Sequence, residues 1–150
     1  MSQTTGISDP WAAWLLTHRH GGNEEHHRQV IEHMNANTMV VMQIETQRAL
    51  DMREELLAVP GIDAVMVGPA DLSISLGVPG EFQHPKMVGA IEAIRDTCIR
   101  RGVIPGMQTR TPSLAKFWKE RGMRFLGCNN DTGMLFERAS ELVSMISAVA

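Results

Sequence analysis

Two acidic residues, Glu45 and Asp71, occupy the positions in this sequence that best suit chemistry. Each follows a short apolar run that predicts a buried strand, and the carboxyl ends of parallel strands meet at one edge of a sheet. Two carboxylates in one crevice repel each other unless a cation lies between them. Oxygen ligands of this kind suit Mg²⁺, Mn²⁺ or a similar divalent ion, with positions left open for substrate and water. The competing interpretation is that each acid only caps the helix that follows it.

The segment Gly68-Pro69-Ala70-Asp71-Leu72-Ser73 adds a second candidate element. Small residues let a ligand approach the backbone, and free N–H groups at the start of the next turn could hold a carboxylate or a phosphate. For a lone Gly-Pro pair, an ordinary strand-to-helix turn is the competing interpretation. Gln43, Gln108 and the run Asn129 to Asp131 also fall at strand ends, so we expect them at the same edge of the sheet.

The elements that must position these residues alternate between strand and helix. Strands are predicted at 38–45, 63–68, 103–108 and 124–129, and helices at 47–59, 69–76, 85–101, 111–121 and from 131 onward. The third strand is the weakest prediction because it contains Pro105. A β-α order repeated four times predicts a parallel sheet with right-handed crossovers. An open doubly wound sheet and half of a (β/α)8 barrel both fit, since a complete barrel takes about 250 residues.

Residues 1–36 differ from the domain predicted at 37–150 and are interpreted as an irregular or helical extension. They contain five of the six histidines. A short helix is predicted from Asp9, then a polar loop from His18 to His27, then the end of a second helix at Glu32 to Asn37. The histidine cluster, His18, His20, His26 and His27, is more typical of a solvated loop than of metal ligands or a catalytic base.

Composition excludes several classes of protein. The chain has 150 residues, is 43% hydrophobic and 21% charged, and carries a formal net charge of −3, which suits a globular domain and not a disordered tail. No basic stripe is present for nucleic acid, and no apolar run approaches the roughly 18–20 residues of a membrane span. The N-terminus lacks the pattern of a secretory signal. Two cysteines, Cys98 and Cys128, are expected to be reduced thiols, which indicates a cytoplasmic location.

Three motifs together resemble one protein family. They are Gln43-Ile44-Glu45-Thr46, Val59-Pro60-Gly61-Ile62-Asp63 and Gly68-Pro69-Ala70-Asp71-Leu72-Ser73. In this combination the chain resembles the HpcH/HpaI aldolases, which are metal-dependent class II aldolases acting on pyruvate-type 2-oxo acids and relatives of macrophomate synthase. The resemblance continues through Ser75-Leu76-Gly77, His84-Pro85 and residues 122–132. It implies a parallel (β/α)4 unit that is the C-terminal half of a TIM-type (β/α)8 barrel.

The resemblance also implies roles for individual residues. Glu45 and Asp71 match the family's two metal-binding carboxylates, and Gln43 matches the glutamine beside the metal. The segment Gly68, Pro69 and Ala70 matches the backbone that meets the carboxylate of the 2-oxo acid. The implied cofactor is Mg²⁺, Mn²⁺ or Co²⁺, and the implied reaction is a carbon–carbon lyase step, aldol cleavage or decarboxylation, through a metal-stabilised enolate. The small-molecule partners would be a 2-oxo acid and an aldehyde.

The chain departs from the family pattern in ways that leave its function open. The family's catalytic histidine and carboxylate-binding arginine belong to the first half of the barrel, which has no counterpart in these residues, so no catalytic residue is assigned. Gln108 replaces an apolar residue, and Asn129-Asn130 replaces a small pair. The alternative to a lyase is therefore a truncated or non-catalytic member that binds a divalent metal or a 2-oxo acid and acts through assembly.

A half barrel leaves an open sheet edge, which favours assembly with a second copy or with a missing partner segment. The resemblance implies that the assembly is a homo-oligomer. The last helix, Thr132 to Ala150, is the expected packing surface. A third possibility is a self-contained open sheet whose exposed edge is covered by the N-terminal segment.

Overall fold

The computed structural model describes residues 24–148, and side chains from residue 27 onward. The chain divides into two compact units, Met1–Met39 and Val40–Ala150, and each is described by itself. The strands are β1 (Val41–Ile44), β2 (Ala64–Val67), β3 (Ile104–Thr109) and β4 (Phe125–Cys128). The helices are α1 (Glu24–Ala36), α2 (Gln47–Asp51), α3 (Arg53–Leu56), α4 (Pro69–Ser75), α5 (Pro85–Arg101), α6 (Pro112–Glu120) and α7 (Asp131–Ser147).

The four strands form one parallel sheet in the order β1-β2-β3-β4. This order is the one expected when each strand is followed by a helical crossover to its next neighbour. β1 and β2 end together, because Ile44 pairs with Val67, and β3 and β4 end together two residues further on, because Thr109 pairs with Cys128. The predicted parallel α/β arrangement is therefore confirmed.

A single apolar core covers one face of the sheet. Alternate strand residues point to opposite faces, and Ile44, Val65, Val67 and Met107 are all fully buried in the core cluster. An apolar stripe of α5 meets this face, and its members Met87, Ile91, Ile94 and Cys98 are at most 1% exposed. The opposite face carries Gln43 and Glu45 at its end. Because the apolar strand residues face the core, the polar residues at the strand ends lie on the opposite face of the sheet.

Polar residues that follow the strands cap the N-termini of the next helices. Thr46 Oγ1 accepts a hydrogen bond from the backbone N–H of Ala49 at 3.1 Å, and Thr111 Oγ1 accepts one from Leu114 at 3.3 Å. Asn130 Oδ1 accepts from Gly133 at 2.7 Å. Each cap satisfies a donor of the first helical turn, so the chain can turn from strand to helix within a few residues.

Two predicted boundaries are wrong. The helix predicted at 47–59 is two short helices separated at Met52, whose φ of −88° and ψ of 9° interrupt the helical geometry. β1 begins at Val41, not at residue 38, because its partner strand begins only at Ala64. The Asp63 carboxylate accepts a hydrogen bond from the Val40 N–H at 2.7 Å, so this donor lies outside the strand ladder.

β3 is longer than its proline suggested, with six residues where β1, β2 and β4 each have four. β4 pairs with β3 only from Gly106, which lies opposite Phe125. Pro105 therefore stands one position before that pairing begins, and its carbonyl accepts a hydrogen bond from Arg124 N. The missing N–H of Pro105 removes no hydrogen bond from the ladder with β4.

In the N-terminal unit, α1 includes residues that were predicted to be a loop. Glu24 to His27 are helical, so that part of the predicted loop is wrong. The helix ends where Asn37 Nδ2 donates to the His33 carbonyl and Thr38 Oγ1 donates to the Met34 carbonyl, each at 2.7 Å. The helix predicted from Asp9 and the rest of the loop, with His18 and His20, lie outside the described residues. The boundary predicted between residues 36 and 37 stays a prediction.

Among the described residues, no helix combines the length and the apolar composition needed to cross a membrane.

Candidate active site at the carboxyl ends of the strands

The end of the sheet carries a row in which long polar side chains alternate with glycines. One residue beyond the pairs Ile44–Val67–Met107, the register brings Glu45, Gly68 and Gln108 side by side. Gln108 in turn pairs with Gly127 of β4. Residues in one row of a parallel sheet point to the same face. Each long side chain can therefore lie over the glycine of the next strand.

The first such pair is Glu45 over Gly68. A Cβ placed on Gly68 would stand only 2.7 Å from Glu45 Oε2 and 3.0 Å from Gln43 Nε2. The backbone of Gly68, with φ −89° and ψ 92°, is accessible to any residue, so this glycine is needed for space and not for conformation. Gln43 Nε2 also donates a hydrogen bond to Glu45 Oε2, which holds the carboxylate in place.

Asp71 enters the site from the first turn of α4. This helix starts with Gly68 as its N-cap and Pro69 at its first position, a place where the missing N–H of proline costs nothing. Asp71 is exposed and lies near the positive end of the helix. Glu45, at the end of β1, and Asp71, just after β2, are therefore held at the same edge by neighbouring strands.

A cavity of about 620 Å³ opens beside these residues. Gln43, Gly68, Pro69, Ala70 and Asp71 line it, so five of the six predicted site residues share one cavity. Glu45 does not line it directly but lies against Gly68. The remaining lining residues come from the α4–α5 connection and from β3 and the start of α6: Phe82, Gln108, Thr109, Arg110, Thr111 and Leu114.

The second pair is Gln108 over Gly127, which lies at the β3–β4 end of the row. A Cβ on Gly127 would fall 1.7 Å from Gln108 Oε1, so this side chain occupies the space that a glycine leaves. Gln108 Nε2 donates to the Asn129 carbonyl at 3.0 Å. Asn129 has a left-handed backbone, with φ 63°, which asparagine tolerates better than most residues. The polar side chain of Gln108 is therefore held in place by a hydrogen bond to the backbone at Asn129.

The candidate donors of this site fit a divalent cation. They are the oxygens of Glu45 and Asp71, the type that Mg²⁺ and Mn²⁺ prefer, and the space at Gly68 that a Cβ would fill is taken by the Glu45 carboxylate. Within the described residues, no group of three or more His, Cys, Asp or Glu side chains is placed to hold a metal. Two carboxylates, those of Glu45 and Asp71, are therefore the candidate donors at this edge of the sheet.

Neither cysteine is placed as a nucleophile. Cys98 is fully buried in α5, and burial raises the pKa of its thiol to about 11, which leaves it protonated at neutral pH. Cys128 ends β4 and is partly buried. Both are free thiols in the structure, as the sequence suggested.

The sequence did not point to five of the lining residues, one of which is charged. Arg110 follows β3 and lines the cavity, but the strand was predicted to end at Gln108, two residues earlier. Extending the strand to Thr109 would have placed Arg110 at the strand end, where functional residues are expected. Phe82 lies in the connection between α4 and α5, and no local pattern marked it.

Known proteins are similar to this chain in sequence. The family model described as HpcH/HpaI aldolase/citrate lyase matches residues 16–135. The 4-hydroxy-2-oxo-heptane-1,7-dioate aldolase of Escherichia coli is 35% identical over 120 residues, covering 80% of this chain and 46% of the relative. The chain thus spans about half the length of the curated relatives it matches.

Solved structures give the same result. An HpcH/HpaI aldolase from Desulfitobacterium hafniense DCB-2 superposes with a TM-score of 0.74 at 31% identity, over 83% of this chain and 48% of that one. Macrophomate synthase superposes with a TM-score of 0.65 at 20% identity, over 85% of this chain and 44% of that one, which supports the fold alone. The (β/α)4 half of a TIM-type barrel, and not an open doubly wound sheet, is the architecture of this chain.

Proposed function

Because the chain belongs to the HpcH/HpaI aldolase/citrate lyase family, we propose that it supplies the metal-binding half of a carbon–carbon lyase acting on a pyruvate-like 2-oxo acid. The observation that carries this proposal is the Glu45 carboxylate lying against Gly68, beside the cavity that Asp71 lines. Membership in this family supports an aldolase or lyase activity. The substrate, the metal and the roles of the individual residues are proposals.

In this proposal Glu45 and Asp71 hold one divalent ion, which is Mg²⁺, Mn²⁺ or Co²⁺. Gln43 orients the Glu45 carboxylate through its hydrogen bond. Gly68, Pro69 and Ala70 form a wall of small residues against which the carboxylate of the 2-oxo acid rests, near the first turn of α4. These residues bind and orient the substrate, and none of them is a proton carrier.

The bound ion would supply Lewis-acid polarisation of the keto group, which stabilises the enolate left when a bond at C3 breaks. Cleavage of that bond would release an aldehyde in the aldol case or carbon dioxide in the decarboxylation case. Phe82 and Leu114 would help to exclude water from the reacting carbon, because both line the same cavity.

A second candidate function is binding without turnover. None of the described residues that line the cavity is a histidine, and the family's base belongs to the half of the barrel outside the matched region. A chain with these residues would bind a divalent metal or a 2-oxo acid and act through assembly. This candidate shares the same metal site, so only a turnover measurement separates it from the lyase.

Calorimetry with Mn²⁺, followed by titration with pyruvate, tests the metal site. We expect Mn²⁺ to bind the unmodified chain and pyruvate to bind only when Mn²⁺ is present. Glu45→Gln and Asp71→Asn should each lower Mn²⁺ affinity about tenfold or more, because each removes a charged oxygen ligand. Glu55→Gln, an exposed acid of α3, is the matched control and should bind as the unmodified chain does.

Unchanged Mn²⁺ affinity in both variants would overturn the proposed site. Pyruvate release from a 4-hydroxy-2-oxo acid, measured in the same preparation, then decides between the two functions. Metal-dependent release that Glu45→Gln abolishes supports the lyase. Binding without release supports the assembly function.

The proposal includes a homo-oligomer in the cytoplasm. Among the described residues the sheet has two open edges, β1 and β4, and α7 exposes most of its apolar side chains. The free thiols Cys98 and Cys128 favour a reducing compartment.

A further inference from the structure

The hydroxyl group of Ser73 joins two separate segments of the chain beside the cavity. Ser73 lies in α4 and is fully buried. Its Oγ donates a hydrogen bond to the Ala70 carbonyl at 2.6 Å and accepts one from the Gly80 N–H at 3.0 Å. The Ser73 hydroxyl group therefore ties the first turn of α4 to the connection between α4 and α5.

Each of these two segments supplies part of the cavity wall. Ala70 lines the cavity next to Asp71, within the segment against which the carboxylate of the 2-oxo acid is proposed to rest. Phe82 lines the cavity from the other segment, and its N–H donates to the Gly80 carbonyl at 3.0 Å. Ser73 is not among the described residues that line this cavity. It therefore lies behind the wall and can affect a ligand only through the residues that it holds.

Beyond Gly77, two hydrogen bonds between described residues attach this connection to α4, and both end at Ser73. The Val78 N–H donates to the Ser73 carbonyl at 2.9 Å, and the Gly80 N–H donates to the Ser73 hydroxyl group. The first bond joins backbone atoms, so only the second depends on the side chain. Gly80 has a left-handed backbone with φ 77°, at the turn that leads to Phe82. Without the hydroxyl group, the Gly80 N–H loses its partner and this turn loses its hydrogen bond to α4.

We propose that Ser73 is a positioning residue for substrate binding and that it acts through Phe82. Its hydroxyl group keeps the Phe82 ring at the cavity wall, where the ring covers the bound 2-oxo acid and limits the access of water. When the hydroxyl group is lost, the ring is free to move away from Ala70, and the ligand loses apolar contact. This inference rests on the proposed function, because the 2-oxo acid bound beside Asp71 is the ligand that Phe82 covers.

Ser73→Ala tests this role, because alanine suits the helix and the substitution removes only the hydroxyl group. Calorimetry should show that pyruvate affinity in the presence of Mn²⁺ is about fivefold lower, as expected for one lost hydrogen bond, and that Mn²⁺ affinity is unchanged. Hydrogen exchange of the Gly80 amide should become about tenfold faster. Ser73→Cys keeps nearly the same size with a weaker hydrogen-bonding group, so its pyruvate affinity should lie between those of Ser73→Ala and the unmodified chain.

A double-mutant cycle shows whether Ser73 acts through Phe82. Phe82→Ala should lower pyruvate affinity, because it removes the ring from the cavity wall. Adding Ser73→Ala to Phe82→Ala should cause little further loss, because the hydroxyl group then has no ring to position. Additive losses of pyruvate affinity would overturn the proposal.

Thr97→Val is the matched control, because Thr97 is also fully buried and its hydroxyl group donates to the Ala93 carbonyl at 3.0 Å within α5. It should lower the free energy of unfolding and leave pyruvate affinity unchanged. Unchanged pyruvate affinity or unchanged Gly80 exchange in Ser73→Ala, or an equal loss of pyruvate affinity in Thr97→Val, would overturn the role of Ser73 and leave the metal site standing. If the unmodified chain binds no pyruvate with Mn²⁺, the proposed function fails, and the role of Ser73 in substrate binding fails with it.

Discussion

At the residue scale, the site depends on the absence of a side chain. Gly68 leaves room for the Glu45 carboxylate, whose Oε2 would otherwise stand 2.7 Å from a Cβ. The two nearest atoms, Glu45 Oε2 and Gln43 Nε2, are the far ends of flexible side chains, and the Glu45 Cβ follows at 3.1 Å. A side chain at position 68 therefore displaces the proposed metal ligand and requires only a small adjustment at Glu45.

We expect Gly68→Ala to lower Mn²⁺ affinity about tenfold while the free energy of unfolding changes by less than about 1 kcal/mol. The backbone angles at Gly68 suit alanine, so the main effect should fall on the Glu45 carboxylate and on Gln43, which donates to it. Calorimetry and urea denaturation of the same sample measure the two quantities.

Gly89→Ala is the matched control for this substitution. A Cβ at Gly89 meets no atom within 4 Å, and the residue lies inside α5. It should raise the free energy of unfolding by about 0.5–1 kcal/mol and leave Mn²⁺ affinity unchanged. If Gly68→Ala also left Mn²⁺ affinity unchanged, the Glu45 carboxylate would not be a metal ligand in this position.

The strand-end residues could be predicted because the rule that applies to them is positional. Glu45, Gln43 and Asp71 follow apolar runs, and parallel strands bring their ends together. The approach of Glu45 to Gly68 could not be predicted in the same way, because it depends on the register between β1 and β2. Arg110 was missed for a related reason. The end of β3 was predicted one residue too early, so Arg110 was not counted among the residues that follow the strand.

At the element scale, α3 is attached to α5 through one carboxylate. Glu54 accepts hydrogen bonds from Arg100, from Arg101 at 3.3 Å and from the Thr97 hydroxyl at 3.1 Å. The hydrogen bond from Arg100 is the main cause that holds the pKa of Glu54 below its usual value, and Thr97 and Arg101 act in the same direction. This contact joins a four-residue helix, too short to be stable alone, to the longest crossover helix of the sheet.

The sign of the resulting pH dependence follows from this lowered pKa. A carboxyl group whose folded pKa is depressed stabilises the fold above its unfolded pKa and loses that contribution as the pH falls through the folded pKa. We expect Glu54→Gln to be less stable than the unmodified chain near pH 7, with the difference shrinking toward about pH 3. Urea denaturation across this pH range measures it.

Glu120→Gln serves as the control, because Glu120 is 62% exposed and pairs with Lys116 of its own helix at 3.9 Å. Its effect should be smaller than that of Glu54→Gln near pH 7. A difference between Glu54→Gln and the unmodified chain that grows on acidification would contradict the assigned role.

Long periodic elements could be predicted and short ones could not. The spacing of Met87, Ile91, Ile94 and Cys98 indicates a helix over about three turns, and all four are buried in α5. The break between α2 and α3 at Met52 has no marker residue, since neither glycine nor proline stands there. The local sequence around Met52 therefore did not predict the break.

At the scale of the whole molecule, α7 is the least covered element. Every one of its residues except Gly133 is exposed, and Leu135, Phe136 and Ile146 are between 72% and 74% exposed. Apolar side chains in this number on one helix favour burial against another surface. The proposed homo-oligomer is consistent with such a surface.

We expect Leu135→Glu combined with Ile146→Glu to shift the chain toward monomer, because both charges enter the apolar face of α7. Sedimentation equilibrium over a range of concentrations measures the change. Ser144→Glu places the same charge on the polar face of the helix and should leave the association state as it is. A double variant that associates like the unmodified chain would exclude α7 from the interface.

The alternation of long side chains with glycines makes neighbouring strands depend on each other's sequence. Glu45 fills the space at Gly68 and Gln108 fills the space at Gly127, so a side chain added at either glycine must displace its long partner. Gly127→Ala by itself should displace the Gln108 amide and cost its hydrogen bond to the Asn129 carbonyl, whereas it should cost little once the glutamine is shortened. A double-mutant cycle over positions 108 and 127 should therefore show strong non-additivity, and libraries for altering the pocket should vary each pair jointly.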